Sequence, residues 1–291
     1  MKKQLVNRVR IFFMLAFVWT IACLVTSCGG RSEKGYLRLL YWNIQNGMWS
    51  GQGDNYDSFV EWVKEQNPDI CVWCEAQSIY KTGTADPMEA ADRYLTDNWE
   101  KLAMRYGHTY CYIGGHRDNY PQVITSKYPI KNVLRIVGSE PDSVVTHGAG
   151  WAQIEVNQQT INVVTLHTWP QAFAFRAEDK EASKAESGGD KYRRMEICKH
   201  TIDSVPEAAG QYWMMMGDFN ARSRIDNAVY NYPEEDTRFL VHDYIRENTP
   251  YIDVIAKKYP GEFKTTTGKE ARIDFVYCTS PLYERIVAAD V

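Results

Sequence analysis

Five apolar runs in this chain each hand over to a polar residue from one narrow chemical set. Leu37-Arg38-Leu39-Leu40-Tyr41-Trp42 leads into Asn43, Asp69-Ile70-Cys71-Val72-Trp73-Cys74 into Glu75, and the run 160–166 into His167. Trp213-Met214-Met215-Met216 leads into Gly217-Asp218-Phe219-Asn220, and Ala271-Arg272-Ile273 carries Asp274 into Phe275-Val276-Tyr277. Such runs read as buried strands. In α/β sheets ligand sites gather at strand ends, so these five ends form one constellation.

Within the fourth motif, side chains two apart on an extended segment point the same way. Asp218 and Asn220 therefore reach one phosphate, water or cation together, and Gly217 permits close backbone approach. Taken alone, the tetrapeptide reads more often as a turn than as a site. The other four motifs favour a site.

The ordered set Trp42-Asn43-Ile44, Pro68-Asp69 through Glu75, Thr165-Leu166-His167, Gly217-Asp218-Phe219-Asn220 and Arg272-Ile273-Asp274-Phe275 resembles the endonuclease/exonuclease/phosphatase superfamily. The resemblance runs from about residue 36 to the end of the chain. It implies the DNase I-like fold, a four-layer α/β/β/α sandwich. Thr125-Ser126-Lys127-Tyr128-Pro129-Ile130 resembles the strand and turn that precede the second sheet in that family.

Alternating signals along the chain also argue for α/β layers. Helical spacing of Phe59, Val60 and Val63 predicts a helix over 56–66, ended by Asn67-Pro68. Further helices are expected over 88–106 and 191–204. Short strands are expected near 110–113, 121–126, 131–138, 150–156 and 160–167, with a last strand over 272–278. The polar connection between His167 and residue 191 has an aromatic root, Trp169 to Phe175, placed to line a substrate mouth.

Phosphoester hydrolysis needs phosphoryl charge neutralised, a water aligned, and a proton for the leaving oxygen. A hard divalent cation, Mg2+ or Mn2+, held by oxygen ligands meets the first need. Glu75 is the expected principal ligand, helped by Asn43 through its amide oxygen or a bound water. Asp218 is expected to orient or deprotonate the water, or equally to take a share in binding the metal, with Asn220 donating to a phosphate oxygen. His167 is expected to stabilise the phosphate and protonate the leaving group. The resemblance supports these roles and gives Asp274 the task of orienting a second catalytic His in a Ser-Asp-His motif. That motif is not found in this sequence, which leads to the expectation of a chain truncated at its C-terminus. His242, in a helical context before Asp274, is a poor substitute for that second His. His108, His116, His147 and His200 carry weaker signals; His116 lies in a Gly-rich turn that reads first as a surface loop and otherwise as an approach to substrate phosphate.

Residues 1–27 read as a lipoprotein signal peptide. Lys2, Lys3, Arg8 and Arg10 precede an apolar stretch from Ile11 to Val25, and Val25-Thr26-Ser27-Cys28 resembles a lipobox with Cys28 as the lipidated residue. Residues 28–35 read as a tether and 36–291 as one domain, for which 44% hydrophobic content is ample core material. Removing the leader takes 4 of 33 basic residues and leaves 29 against 37 acidic, a net charge of −8. That balance disfavours a broad nucleic-acid groove while leaving phosphate binding through a cation open. Cys71, Cys74, Cys111, Cys198 and Cys278 remain, an odd number that reads as core cysteines rather than a disulfide framework. The expectation is a monomeric phosphoesterase, lipid-anchored in the cell envelope, acting on a phosphodiester or phosphomonoester. A secreted nuclease and a catalytically incomplete binding protein of the same fold are the alternatives.

Overall fold

The computed structural model describes residues 35–48, 54–77, 86–89, 96–116, 120–137, 147–168, 170, 178–179, 181–182, 211–268 and 270–291. The chain divides into Met1–Leu37 and Arg38–Val291, and every element below belongs to the second unit. Strands β1 (Leu39–Asn43), β2 (Ile70–Cys74), β3 (Tyr110–Gly114) and β4 (Gln122–Ser126) form a sheet in the order β1-β2-β4-β3. The second sheet takes β5 (Ile130–Ile136), β6 (Ala149–Val156), β7 (Gln159–His167), β8 (Trp213–Asp218), β9 (Tyr251–Asp253) and β10 (Asp274–Thr279) in the order β5-β6-β7-β8-β10-β9.

Helices α1 (Asp57–Gln66) and α2 (Thr96–Arg105) cover the first sheet, and α3 (Leu240–Asn248) lies on the second, followed by the short α4 (Val254–Lys258). Strand alternation sorts the core into layers. Cys71 and Trp73 of β2 face outward into Phe59, Val63, Trp99 and Leu102. Val164, Leu166, Met215, Phe275 and Tyr277 face outward into Val241 and Ile245 of α3. The alternate residues Val72, Ile124, Val163, Met214 and Met216 are buried between the sheets, where β1 meets β8 and β2 meets β7. This is the four-layer α/β/β/α arrangement. Each fully buried Leu, Ile or Phe contributes about 1.5–3 kcal/mol. An exposed ion pair such as Lys131–Glu155 contributes about 0–1 kcal/mol, so the layers, not surface charge, hold the fold.

The sheets touch at backbone distance where glycines allow it. A Cβ on Gly114 would lie 2.8 Å from Gly150 Cα, and one on Gly150 would lie 2.6 Å from Gly114 Cα. Gly217 is constrained within its own sheet, since a Cβ there would fall 1.8 Å from the Leu166 carbonyl oxygen. The turn after β4 crosses to the second sheet as the 125–130 motif implied. Lys127 Nζ pins it to Asn67 and Asp69 at 2.8 and 3.1 Å.

Two element boundaries differ from expectation. Helix α2 is described over Thr96–Arg105, and residues 86–89, which include Pro87 and the expected start at 88, are not helical. Strand pairing of β10 starts at Asp274 because Arg272 is drawn into a buried cluster with Asp226 and Asp253, each within 2.9 Å of its Nη2. The backbone N–H groups of Ile273 and Asp274 meanwhile both donate to Thr266 Oγ1 at 3.1 Å. Cys71, Cys74 and Cys278 are free and buried, as core cysteines should be. The leader, Cys28, the helix expected over 191–204, His200 and most of the connection from Trp169 onward lie outside the described residues.

Candidate active site

Register brings the five motifs to one end of the sandwich. β1 and β2 run parallel with Asn43 level with Cys74, the residue before Glu75. β7 and β8 run parallel with His167 level with Asp218. β10 is antiparallel to β8, so Asp274, although first in its strand, lies level with Asp218. Alternation turns Tyr41, Asn43, His167, Asp218 and Asp274 toward the space between the sheets.

Glu75 follows β2 in a left-handed conformation, φ 53°. Its backbone oxygen accepts from Gly47 N at 2.6 Å and its Oε2 from Asn46 N at 3.1 Å. The segment supplying these donors is itself left-handed, with φ of 48°, 55°, 64° and 58° at Gln45, Asn46, Gly47 and Met48. Non-glycine residues in that region cost about 1–3 kcal/mol each and persist where their surroundings over-determine them. Here the two strained segments hold each other and fix the Glu75 carboxylate.

Asn43 bridges two acids. Its Nδ2 donates to Glu75 Oε1 and to Asp218 Oδ2, both at 3.1 Å, while its Oδ1 accepts from Gln45 N at 3.0 Å. His167 Nε2 lies 3.8 Å from Glu75 Oε1 and 3.9 Å from Asp218 Oδ2. One ligand atom each from Glu75, His167 and Asp218 lies within 4.8 Å of the others. Asn220, also left-handed at φ 46°, donates its backbone N–H to Asp218 Oδ1 at 2.8 Å and its Nδ2 to Thr168 O at 2.9 Å. Asp274 Oδ1 accepts from the Tyr41 hydroxyl at 2.6 Å.

Burial and mutual repulsion dominate the electrostatics. Burial, then the charges of Asp274 and Glu75, push the Asp218 carboxyl up, against hydrogen bonds from Asn220 and Asn43. Burial and the Glu75 charge push Asp274 up too, against the hydroxyls of Tyr41 and Thr266. Burial pushes His167 down to about 4, opposed by the Tyr120 backbone. Among the described residues no Lys or Arg pairs with Glu75, Asp218 or Asp274. A buried surplus of hard oxygen donors with no cationic partner fits a divalent cation, and the Asn43 amide group stands between two of them as a hydrogen-bond donor.

Asn43, Glu75, His167, Asp218 and Asn220 thus converge, with Asp274 beside them through strand register. His242 is buried on the outer face, its Nδ1 2.7 Å from the Tyr277 hydroxyl, away from the site. His108 is structural, bonded to Thr125 at 2.9 Å and Pro68 at 3.0 Å. His147 has a closer connection than sequence suggested: its ring stacks on His167 at 4.4 Å, with the Tyr120 ring edge-on to His167 at 6.1 Å. Tyr41 and Asn46 are further members that sequence reasoning passed over. For Tyr41 a signal existed, since it stands two residues before Asn43 on the same strand face.

Residues 40–287 match the model of the Endonuclease/Exonuclease/phosphatase family. No curated protein matches the chain. Among solved structures, an AP endonuclease from Archaeoglobus fulgidus is 20% identical, with 87% of this chain and 90% of that one covered at a TM-score of 0.54. TDP2 of D. rerio, complexed with a single strand DNA product, is 14% identical over 84% of each chain at 0.51. The 3' phosphatase NExo from Neisseria, bound to a product DNA hairpin, is 12% identical over 86% of this chain and 89% of that one at 0.52. At such identities these likenesses speak for the fold.

Proposed function

Because the chain belongs to the endonuclease/exonuclease/phosphatase family, we propose that it is a phosphoester hydrolase dependent on Mg2+ or Mn2+, with water as the nucleophile. The observation that carries this reading is the convergence of Glu75, His167 and Asp218 within 4.8 Å at the shared end of both sheets. Glu75, with Asn43 beside it, would hold the cation. When bound, a hard divalent cation neutralises charge on the phosphoryl oxygens.

The side chains divide the remaining work. Asp218 orients the water and takes its proton as the new P–O bond forms. Asn220 spends one N–H on Thr168 and has a second for a phosphate oxygen. His167 is neutral in its buried pocket and takes up a proton when an anionic phosphate sits beside it. It then releases that proton to the leaving oxygen as the ester bond breaks. Asp274 fixes the charge pattern next to Asp218.

Hydrolysis of bis-p-nitrophenyl phosphate tests the reading. Activity should vanish in EDTA and return with Mg2+ or Mn2+, and Glu75→Ala should raise the metal concentration required. His167→Ala and Asp218→Ala should each cut turnover by roughly a hundredfold. Hydrolysis that ignores EDTA would remove the cation from this account.

The same proposal places the enzyme in the cell envelope as a monomer, held at a membrane through lipid on Cys28. Its support is the lipobox-like Val25-Thr26-Ser27-Cys28. The acidic balance favours a small phosphate ester over duplex DNA. The chain should take up labelled fatty acid and fractionate with membranes, and Cys28→Ala should lose the label. Lipid retained by that variant sinks the anchor.

A further inference from the structure

Strand β1 sends two side-chain donors across the gap between the sheets, and only Asn43 belongs to the constellation of catalytic motifs. The other is Tyr41, whose hydroxyl reaches Asp274 Oδ1 at 2.6 Å across 233 residues of sequence. β1 is an edge strand, paired to β2 alone. Its rotation is set by Trp42, which turns the other way and packs at 5.0 Å against Trp62 of α1. With Trp42 committed outward, Tyr41 and Asn43 must point inward. Each then takes one member of the acid pair that β8 and β10 hold level: Asn43 takes Asp218 and Tyr41 takes Asp274.

Asp274 needs such an anchor. Its carboxylate stands beside Asp218 in register and feels the charge of Glu75. Like charges repel, so a side chain in such company needs a hydrogen-bond partner to hold it. A charged acceptor gripped by a hydroxyl at 2.6 Å is a strong, short hydrogen bond, and it comes from the opposite sheet. The Thr266 hydroxyl acts on the same carboxyl from within its own chain segment, but only the Tyr41 bond reaches Asp274 from the opposite sheet, beside the Asn43 bond to Asp218.

We propose that Tyr41 is a positioning residue for the hydrolysis, holding the Asp274 carboxylate in place beside Asp218 through its phenol hydroxyl. This rests on the phosphoesterase reading above. The role is carried by one oxygen atom, and Tyr41→Phe removes that atom while keeping the ring.

Steady-state hydrolysis of bis-p-nitrophenyl phosphate at saturating Mn2+ tests it in four proteins: wild type, Tyr41→Phe, Asp274→Asn and the double variant. Tyr41→Phe should lower kcat by roughly ten- to hundredfold, the range for a hydrogen bond to a charged group, with KM within about twofold. In the Asp274→Asn background the same change should cost nothing further, because the two act as one unit. An unchanged kcat in Tyr41→Phe overturns the inference, and so does an equal loss in both backgrounds, which is the signature of a residue that only supports the fold. A wild-type protein without hydrolysis in either Mg2+ or Mn2+ removes the phosphoesterase reading itself, and this role with it.

Discussion

Asp218 shows how burial at the site reaches into the stability of the protein. It is 4% exposed and faces Asp274 across the β8–β10 pairing, and its carboxyl is pushed up from 3.8 to about 8, first by burial and then by its acidic neighbours. A carboxyl raised on folding stabilises the native state below its unfolded pKa, and that contribution is lost as pH rises through the folded value. His167 works the other way. Depressed from 6.5 to about 4 by burial, it contributes above 6.5 and loses that contribution as pH falls. The two oppose each other between pH 4 and 6.5, and above 6.5 only the acid effect remains. Metal-free protein should therefore lose stability between pH 6.5 and 8. The loss is at most about 2 kcal/mol, at about 1.4 kcal/mol per pKa unit. Thermal melts in EDTA read it, and Asp218→Asn should shrink it. A melting curve with the same pH slope in that variant would take Asp218 out of the explanation.

At the scale of elements, the central strands that carry the site were the easiest to read because both of their faces are buried, unlike those of the edge strand β1. β2 and β8 are buried throughout, which makes their sequences continuous apolar runs that stop where the polar residue begins. Their order and spacing carried the family resemblance, and with it the two-sheet sandwich. The connections between strands were harder. β9 and α4 span three and five residues, too few to show a period. The start of β10 depends on where Arg272 finds Asp226 and Asp253, partners distant in sequence. The left-handed turn at Glu75 goes against the residue's own preference and exists because Gly47 and Asn46 bond to it. Tyr41 on Asp274 is likewise a product of sheet docking, invisible until β1 and β10 face each other. His147 on His167 comes from the pairing of β6 with β7 inside the second sheet. Residue types and strand parity were legible, while contacts made across the sandwich were not.

For the molecule as a whole, the decisive fact is that the three candidate ligand atoms come from different sheets. Glu75 follows β2 in the first, whereas His167 and Asp218 end β7 and β8 in the second. Neither sheet alone presents the site, so on the proposed reading a cation would bind the docked sandwich and not the unfolded chain. Binding to the native state alone stabilises by about 2.7 kcal/mol at a hundredfold excess over Kd. In a domain of this size each kcal/mol moves the melting temperature by about 2–4 °C. Mg2+ or Mn2+ at that excess should thus raise the melting temperature by about 5–10 °C. The surplus acidic charge of the chain adds to the effect, since a bound cation relieves self-repulsion. Glu75→Gln and Asp218→Asn, each removing one sheet's carboxylate, should both abolish most of the shift, while Cys28→Ala should retain it. The comparison needs no substrate and no turnover. If calorimetry detects the cation binding while the melting temperature stays fixed, the cation sits somewhere that survives unfolding, and the inter-sheet site is not where it binds.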